Sequence, residues 1–277
     1  MDINEKKIKI KEMAQLRNMY MQQGKTLEEV EVLRKLAMLT EEVYGVESDE
    51  NIKILNELGG TLKYVGAFDE AVNALLKARD LIEKRYGNEN VSYATCNLNL
   101  AEVYRFMRKF DETEKLYLDT IKIYEKNNLQ NDYLYAGVCN NLGLFYQEQG
   151  KYENAVKLHK KSLKILENSE KYKLQYATTL SNLVIPYMKI GKKELSEEYL
   201  KKSLKLIEKE VGKNHSLYSA SLNNLAIHYY NEGNYEKALE FFEESAEICK
   251  KSFGENSTNY KNLMSNIEIV RERLEGK

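Results

Sequence analysis

The sequence predicts an all-α protein, a right-handed α-solenoid of stacked helical hairpins. Three observations carry this. The same helix, turn, helix phrase returns, as "NNLGLFYQEQGKYENAVKLHKKSL" at 140–163 and "NNLAIHYYNEGNYEKALEFFEESA" at 223–246. Tyr93, Tyr135, Tyr176, Tyr218 and Tyr260 open comparable segments at steps of 42, 41, 42 and 42 residues, and a fixed period of that size marks a repeat architecture. The composition suits helix, with 1 proline and no tryptophan against 31% charged residues in 277. A single hairpin cannot bury both faces of its helices, so each must stack on the next.

Taken in order, the elements are six hairpins over 9–259 and a closing helix. Counting back from Tyr93 by the same step reaches Asn51 and then Lys9. Residues 1–50 form a degenerate capping hairpin: Gly24 aligns with Gly66 and Tyr44 with Tyr86, but Glu29 replaces the small Ala71 equivalent. Five regular hairpins fill 51–256. Their first helices place a small residue beside a large one, as in Leu100, Ala101, Tyr104 and Leu142, Gly143, Tyr146, with Leu183, Val184, Tyr187 and Leu225, Ala226, Tyr229 following. At helical spacing each triplet shares a face, and the small member lets two helix axes approach. In the hairpin of Leu142, Ala155, Leu158 and Ser162 form the answering face of the second helix. Gly66, Gly150, Gly191 and Gly233 end first helices, and Gly45, Gly87, Gly212 and Gly254 end second ones. The polar segment 257–277 is expected to be a capping helix.

Charge and cysteine usage narrow the function. The 42 basic and 43 acidic residues nearly cancel, so no global field attracts nucleic acid or anionic lipid. Cys96, Cys139 and Cys249 lack C-x-x-C spacing, and they are expected to be small buried hydrophobes in a reducing compartment. The start "MDINEKKIKIKEM" has no apolar core of a signal peptide, and no stretch approaches the ~18 to 20 apolar residues of a membrane span. A cytoplasmic protein with no nucleic-acid or membrane partner is expected.

The motif L-G-x-x-Y followed by G-x-Y-x-x-A, in Leu142, Gly143, Tyr146, Gly150, Tyr152 and Ala155, resembles the tetratricopeptide repeat. The 42-residue period and "GKNHSLYSASLNNLAIHYYNEGNYEKAL" resemble the longer variety found in kinesin light chains. That variety usually carries Gly-x-x-His-Pro between repeats, whereas here Ser216 follows His215. The resemblance implies a superhelix that binds protein or peptide along its concave side, and no particular partner.

With Leu142 counted as repeat position 7, the face opposite the packing triplets holds positions 2, 5, 6, 9, 12 and 13. Position 6 is Asn in four successive hairpins: Asn99, Asn141, Asn182 and Asn224. Asn is an indifferent helix former, so its recurrence needs a cause. A carboxamide can clamp the N–H and C=O of an extended peptide without reading its side chains. The competing cause is bonding to a neighbouring helix that merely sets the stack. Leu144, Ile185 and Ile227 occupy position 9 and Tyr230 position 12, an apolar stripe of the kind that marks binding surfaces. A narrow groove or a second copy of the chain could cover it instead. Lys63 and Arg105 make one end basic, so the expected ligand is a protein or peptide segment, apolar with an acidic end. Chaperone-binding members of the resembled family grip a terminal carboxylate with Lys and Arg at positions 2 and 6; Thr, Gly or Ala and Asn stand there here. Pro186 falls inside a first helix and cannot donate to the carbonyl of Asn182.

Catalytic chemistry is not expected. His159, His215 and His228 lack a further His or Cys at metal-ligand spacing, there is no phosphate-cradling loop after a strand, and no cofactor or metal is anticipated. The expected function is a non-catalytic adaptor that binds protein or peptide in its groove. The alternatives are a peptide-sensing regulator resembling bacterial pheromone receptors, which normally carry an amino-terminal effector module, and a self-associating scaffold. Homo-oligomers stay open.

Overall fold

The fold is described from a computed structural model, which covers residues 2–255 and 257–276. All regular structure among the described residues is helical. The chain divides into two compact units, 1–130 and 131–277.

In the first unit, α1 (Ile3–Gln22) packs on α2 (Thr26–Tyr44), α3 (Asp49–Leu62) on α4 (Phe68–Tyr86), and α5 (Val91–Phe106) on α6 (Phe110–Lys126). The helices also touch across hairpins, α2 with α3 and α4 with α5, which is how a repeat without two-sided burial completes its core. That core runs through Met13, Leu33, Leu36, Leu55, Leu62, Leu75, Ile82, Leu100 and Val103. Starts follow from side-chain caps: Ser48 accepts from the Asn51 amide at 3.2 Å, and Asn90 from Ser92 at 2.7 Å. Helix α3 tightens into a 3-10 turn, Lys63–Val65, before Gly66 takes φ 75°. One repeat later the same place is held by Arg108, also left-handed at φ 60°, a conformation that costs any residue with a Cβ.

Small residues set the approach of each hairpin's helices. A Cβ on Gly59 would meet Leu75 Cγ at 2.4 Å and the Ala71 carbonyl at 3.0 Å. The capping hairpin solves the same contact differently. Arg17 stands at the Gly59 register and Glu29 at the Ala71 register, and the two ion-pair at 3.1 Å, with Arg17 also 3.2 Å from Glu57. The substitution seen as a degeneracy in the sequence is therefore a charge pair, buried on the Glu29 side, replacing a small-small contact.

In the second unit, α7 (Tyr133–Glu148) packs on α8 (Tyr152–Leu166), and a 3-10 turn, Glu170–Tyr172, leads to α9 (Lys173–Asn182) and α10 (Val184–Lys189), both of which pack on α11 (Lys193–Val211). Then α12 (Ser216–Asn231) packs on α13 (Tyr235–Phe253), which carries α14 (Thr258–Leu274). The first helix of the fifth hairpin, in which Pro186 was expected to fall, divides at Leu183, because Pro186 has no amide for the carbonyl four residues back. The first hairpin starts at Ile3, earlier than residue 9, because Asp2 and Glu5 build a reciprocal capping box. The expected boundary at 256 and the termini at 1 and 277 lie outside the described residues. Second-to-first helix contacts are close enough for side-chain hydroxyls to reach backbone: Ser203 donates to the Ala177 carbonyl at 2.7 Å, and Ser219 and Ser245 each donate to the other's carbonyl at 2.9 and 2.8 Å. All three cysteines are buried thiols.

Candidate functional site

Clefts open beside the first helices, at repeat positions 2 and 5. In the first unit, Lys53, Asn56 and Thr95 line one of about 530 Å³ between α3 and α5. In the second unit, Gly137, Asn140 and Thr178 line one of about 460 Å³ between α7 and α9, closed by Leu166 and by Tyr133, whose ring stacks on Tyr172 at 4.8 Å. A further cleft of about 500 Å³, between α12 and α14, holds Ala220 and Asn223. These are positions on the face expected from helical periodicity, but the residues that line the clefts are mostly one step before the predicted Asn series.

The predicted Asn residues divide into two kinds. Asn99 donates through Nδ2 to Asn56 Oδ1 at 3.0 Å, and Asn182 through Nδ2 to Asn140 Oδ1 at 3.1 Å. Each bond joins position 6 of one hairpin to position 5 of the hairpin before it. Asn141 on α7 and Asn224 on α12 are half-buried and make no side-chain bond among the described residues. The bond needs a carboxamide at position 5 of the preceding hairpin; before Asn224 that residue is Ser181, whose hydroxyl pairs with Ser203 at 2.8 Å.

The apolar stripe is partly open. Ile185 is 46% and Ile227 37% exposed, while Leu144 is half-buried. Tyr230 lies 5.4 Å from the ring of Tyr235. At the basic end, Arg105 pairs with Glu102 at 3.0 Å and lies over Phe106 at 5.1 Å, and Glu102 also accepts from the Tyr117 hydroxyl. Lys63 sits over the Tyr64 ring at 4.9 Å. Arg105 is thus committed to its own helix neighbour, and the surplus of positive charge there is smaller than Lys63 and Arg105 would give unpaired.

Behind Asn140 lies His159, fully buried on α8 against Gly143. Its Nδ1 meets Asn140 Oδ1 at 2.9 Å, while Nε2 has no hydrogen-bond partner among the described residues. Burial pushes its pKa down to about 4, so the ring is neutral at pH 7, and the proton on Nδ1 is donated to the amide oxygen. In the first unit Cys96 fills the corresponding role, its thiol 3.1 Å from Asn56 Oδ1 and pushed up to about 12 by burial. Sequence reasoning missed Asn56, Asn140, Cys96 and His159 as groups acting together. The available signal was that Asn at position 5 precedes Asn at position 6 by one repeat, at Asn56 and Asn99, at Asn140 and Asn182, and at Asn223 and Asn266. Among the described residues, no cluster of His, Cys, Asp or Glu has the form of a metal site, and no helix is long and apolar enough to cross a membrane.

The tetratricopeptide-repeat family model matches residues 50–126, 136–209, 187–251 and 217–276. The chain belongs to the tetratricopeptide-repeat family. Such repeats generally mediate protein–protein interaction, and their fold is typically a non-catalytic scaffold. Among solved structures, the chain is similar to the nearly identical repeats of a kinesin-light-chain candidate from Podospora anserina, at 21% identity and TM-score 0.62 over 73% of this chain and 95% of that one. It is similar to BtubC from P. vanneervenii, at 19% identity and TM-score 0.64 over 86% and 93%. The apo form of RapI superposes with TM-score 0.68 at 13% identity, over 96% of this chain and 72% of that one. At these identities the likenesses establish a tetratricopeptide solenoid and nothing finer. No curated protein matches significantly.

Proposed function

We propose that this tetratricopeptide-repeat protein is a non-catalytic adaptor that holds an extended protein or peptide segment along the first-helix faces of its hairpins. The observation that carries the reading is the recurrence of carboxamides at positions 5 and 6, beside clefts and next to the exposed Ile185 and Ile227. Carboxamides bond peptide backbone, whose pattern is the same in every sequence, and exposed aliphatic groups offer area to the ligand's side chains. The predicted contact set is Asn99, Asn141, Asn182, Asn224, Leu144, Ile185, Ile227 and Tyr230, with Lys63 and Arg105 toward a basic end. With Arg105 paired to Glu102, an acidic end on the ligand would rest on Lys63. The ligand's apolar part matters more.

The test combines capture of partners from the native host with peptide-array binding of the wild type and the Asn141→Ala, Asn182→Ala pair. Each neutral hydrogen bond contributes about 0.5–1.5 kcal/mol net, so each Asn→Ala change should weaken a peptide about 2- to 13-fold. A confirmed ligand that binds the folded pair as tightly as wild type would remove these side chains from the groove.

A further inference from the structure

We propose that the ligand-facing donors are the side-chain amides of Asn140 and Asn56, that Asn182 and Asn99 are positioning residues which hold them, and that the group recognised at Asn140 is a neutral carbonyl flanked by an apolar side chain. The inference deepens the groove reading above and rests on it.

Asn140 Oδ1 receives two hydrogen bonds, from Asn182 Nδ2 at 3.1 Å and from His159 Nδ1 at 2.9 Å. Asn56 Oδ1 likewise receives Asn99 Nδ2 at 3.0 Å and the Cys96 thiol at 3.1 Å. A carbonyl oxygen has two lone pairs, so each is saturated, and what remains of each carboxamide is its NH2 group. Among the described residues neither Nδ2 has a protein partner, each side chain is half-buried, and each lines a cleft. The arrangement is built twice, in separate units, from unlike second donors: a thiol in one and an imidazole in the other. Both donors are buried with their protons retained, which fixes the orientation of the amide they address.

The cleft at Asn140 defines the ligand chemistry. Leu166, Leu174 and Tyr172 form its apolar walls, and among the described residues no charged side chain lines it. An ammonium there would face amide hydrogens, and a carboxylate would lose hydration without a counter-ion. A peptide carbonyl accepts from Nδ2 at no such cost, and its neighbouring aliphatic side chain finds room over Gly137, where an added Cβ would meet no atom within 4 Å.

The probe is N-acetyl-leucine N-methylamide, which has peptide carbonyls and one aliphatic side chain, titrated into the ¹⁵N-labelled full chain while side-chain amide resonances are followed. The Asn140 and Asn56 NH2 signals should shift saturably. Asn140→Asp keeps the shape but removes the donors together with the reporting NH2 signal, so it is read at the backbone amides of Gly137 and Thr178, which line the cleft and shift in wild type; they should stay still while the Asn56 signal moves. Gly137→Leu should fill the cleft with the same result, without touching the amide network. Asn182→Asp and Asn182→Ala both remove the donor that holds Asn140, and should weaken the probe about 2- to 13-fold while the Asn140 signal remains the one that shifts. The assignment fails if the Asn182 and Asn99 amides shift while those of Asn140 and Asn56 stay still. It fails equally if no NH2 signal saturates, or if Asn140→Asp and Gly137→Leu respond as wild type. A natural ligand that needs the groove yet leaves these signals unmoved sinks this assignment alone. Probe binding here, with natural ligands bound elsewhere, sinks the groove reading and leaves the site.

Discussion

His159 couples the inside of one hairpin to acidity. Its pKa is about 4 when folded against an ordinary 6.5, because burial disfavours the charged ring. The unfolded chain therefore binds the proton more readily between those values, and stability rises with pH there. The contribution is complete above the unfolded value near 6.5 and is lost as pH falls toward 4. A gap of about 2.5 pKa units corresponds to about 3 kcal/mol. Urea unfolding from pH 7 to pH 4 should show a steeper loss for wild type than for His159→Leu, a side chain that Leu75 and Leu200 already provide at the same register. Parallel pH profiles would mean that the imidazole is protonated without opening the core. A second residue stores backbone strain. Arg108 adopts φ 60° where the repeats before and after it have Gly66 and Gly150, so Arg108→Gly exchanges a strained left-handed residue for an unstrained one. The relief of about 1–2 kcal/mol is partly offset by the greater freedom of glycine in the unfolded chain. A net gain of about 0.5–1 kcal/mol in denaturant melts is expected, and a loss would show that the contact of Arg108 with the Phe110 ring, 5.7 Å away, outweighs the strain.

At the scale of elements, the first hairpin is where sequence and structure diverge most. Every other hairpin joins its helices through a small residue, and here Arg17 and Glu29 meet instead. The pair is nearly desolvated on the Glu29 side, with a side-chain exposure of 8%. Arg17→Ala leaves that carboxylate and Glu57 without their cation and should cost about 3 kcal/mol. Adding Glu29→Ala restores the small-small contact in part, so the double variant should be more stable than Arg17→Ala alone; additive losses would mean the charges do not interact. The helix break at Leu183 is testable in the same spirit. Pro186→Ala supplies the missing amide for the Asn182 carbonyl, and slow hydrogen exchange at residue 186 is expected as α9 and α10 join. Fast exchange would place the cause of the break in the packing around Leu183. Periodicity made the hairpins, their glycine stops and their packing triplets legible, since burial on one helix face repeats every turn. It could not reveal Arg17 as the answer to Glu29, nor Asn140 as the partner of Asn182, because those contacts join positions on different helices and depend on how the helices sit together. The Asn series was recognisable as unusual from propensity alone, but the role of each member depends on whether the preceding hairpin offers an amide.

For the whole molecule, 42 basic and 43 acidic residues nearly cancel, and among the described residues no charged side chain lines the Asn140 cleft, which points to recognition there by hydrogen bonds and apolar area. Affinity for a neutral peptide at the Asn140 cleft should therefore change little as salt is raised, in contrast to binding through Lys and Arg clusters, which screening weakens steeply. The two units bear on how the protein holds itself together. Residues 1–130 contain one connected core from Met13 to Val103. Residues 131–277 contain clusters around Leu180 and Leu183, around Tyr218 and Leu222, and around Phe242, Leu263 and Ile267. Each unit stacks three hairpins, about the number at which nearest-neighbour burial offsets the entropy of ordering a repeat. The fragments 1–130 and 131–277 should each fold when produced separately, giving helical spectra and sigmoidal urea transitions. The second should retain the response of the Asn140 amide to N-acetyl-leucine N-methylamide, because Asn182, His159, Gly137 and Leu166 all lie within it. A fragment that is helical but unfolds without a cooperative transition would show that its core depends on the other unit. If 131–277 folds cooperatively and yet loses the Asn140 response, the cleft requires more of the chain than the residues that line it.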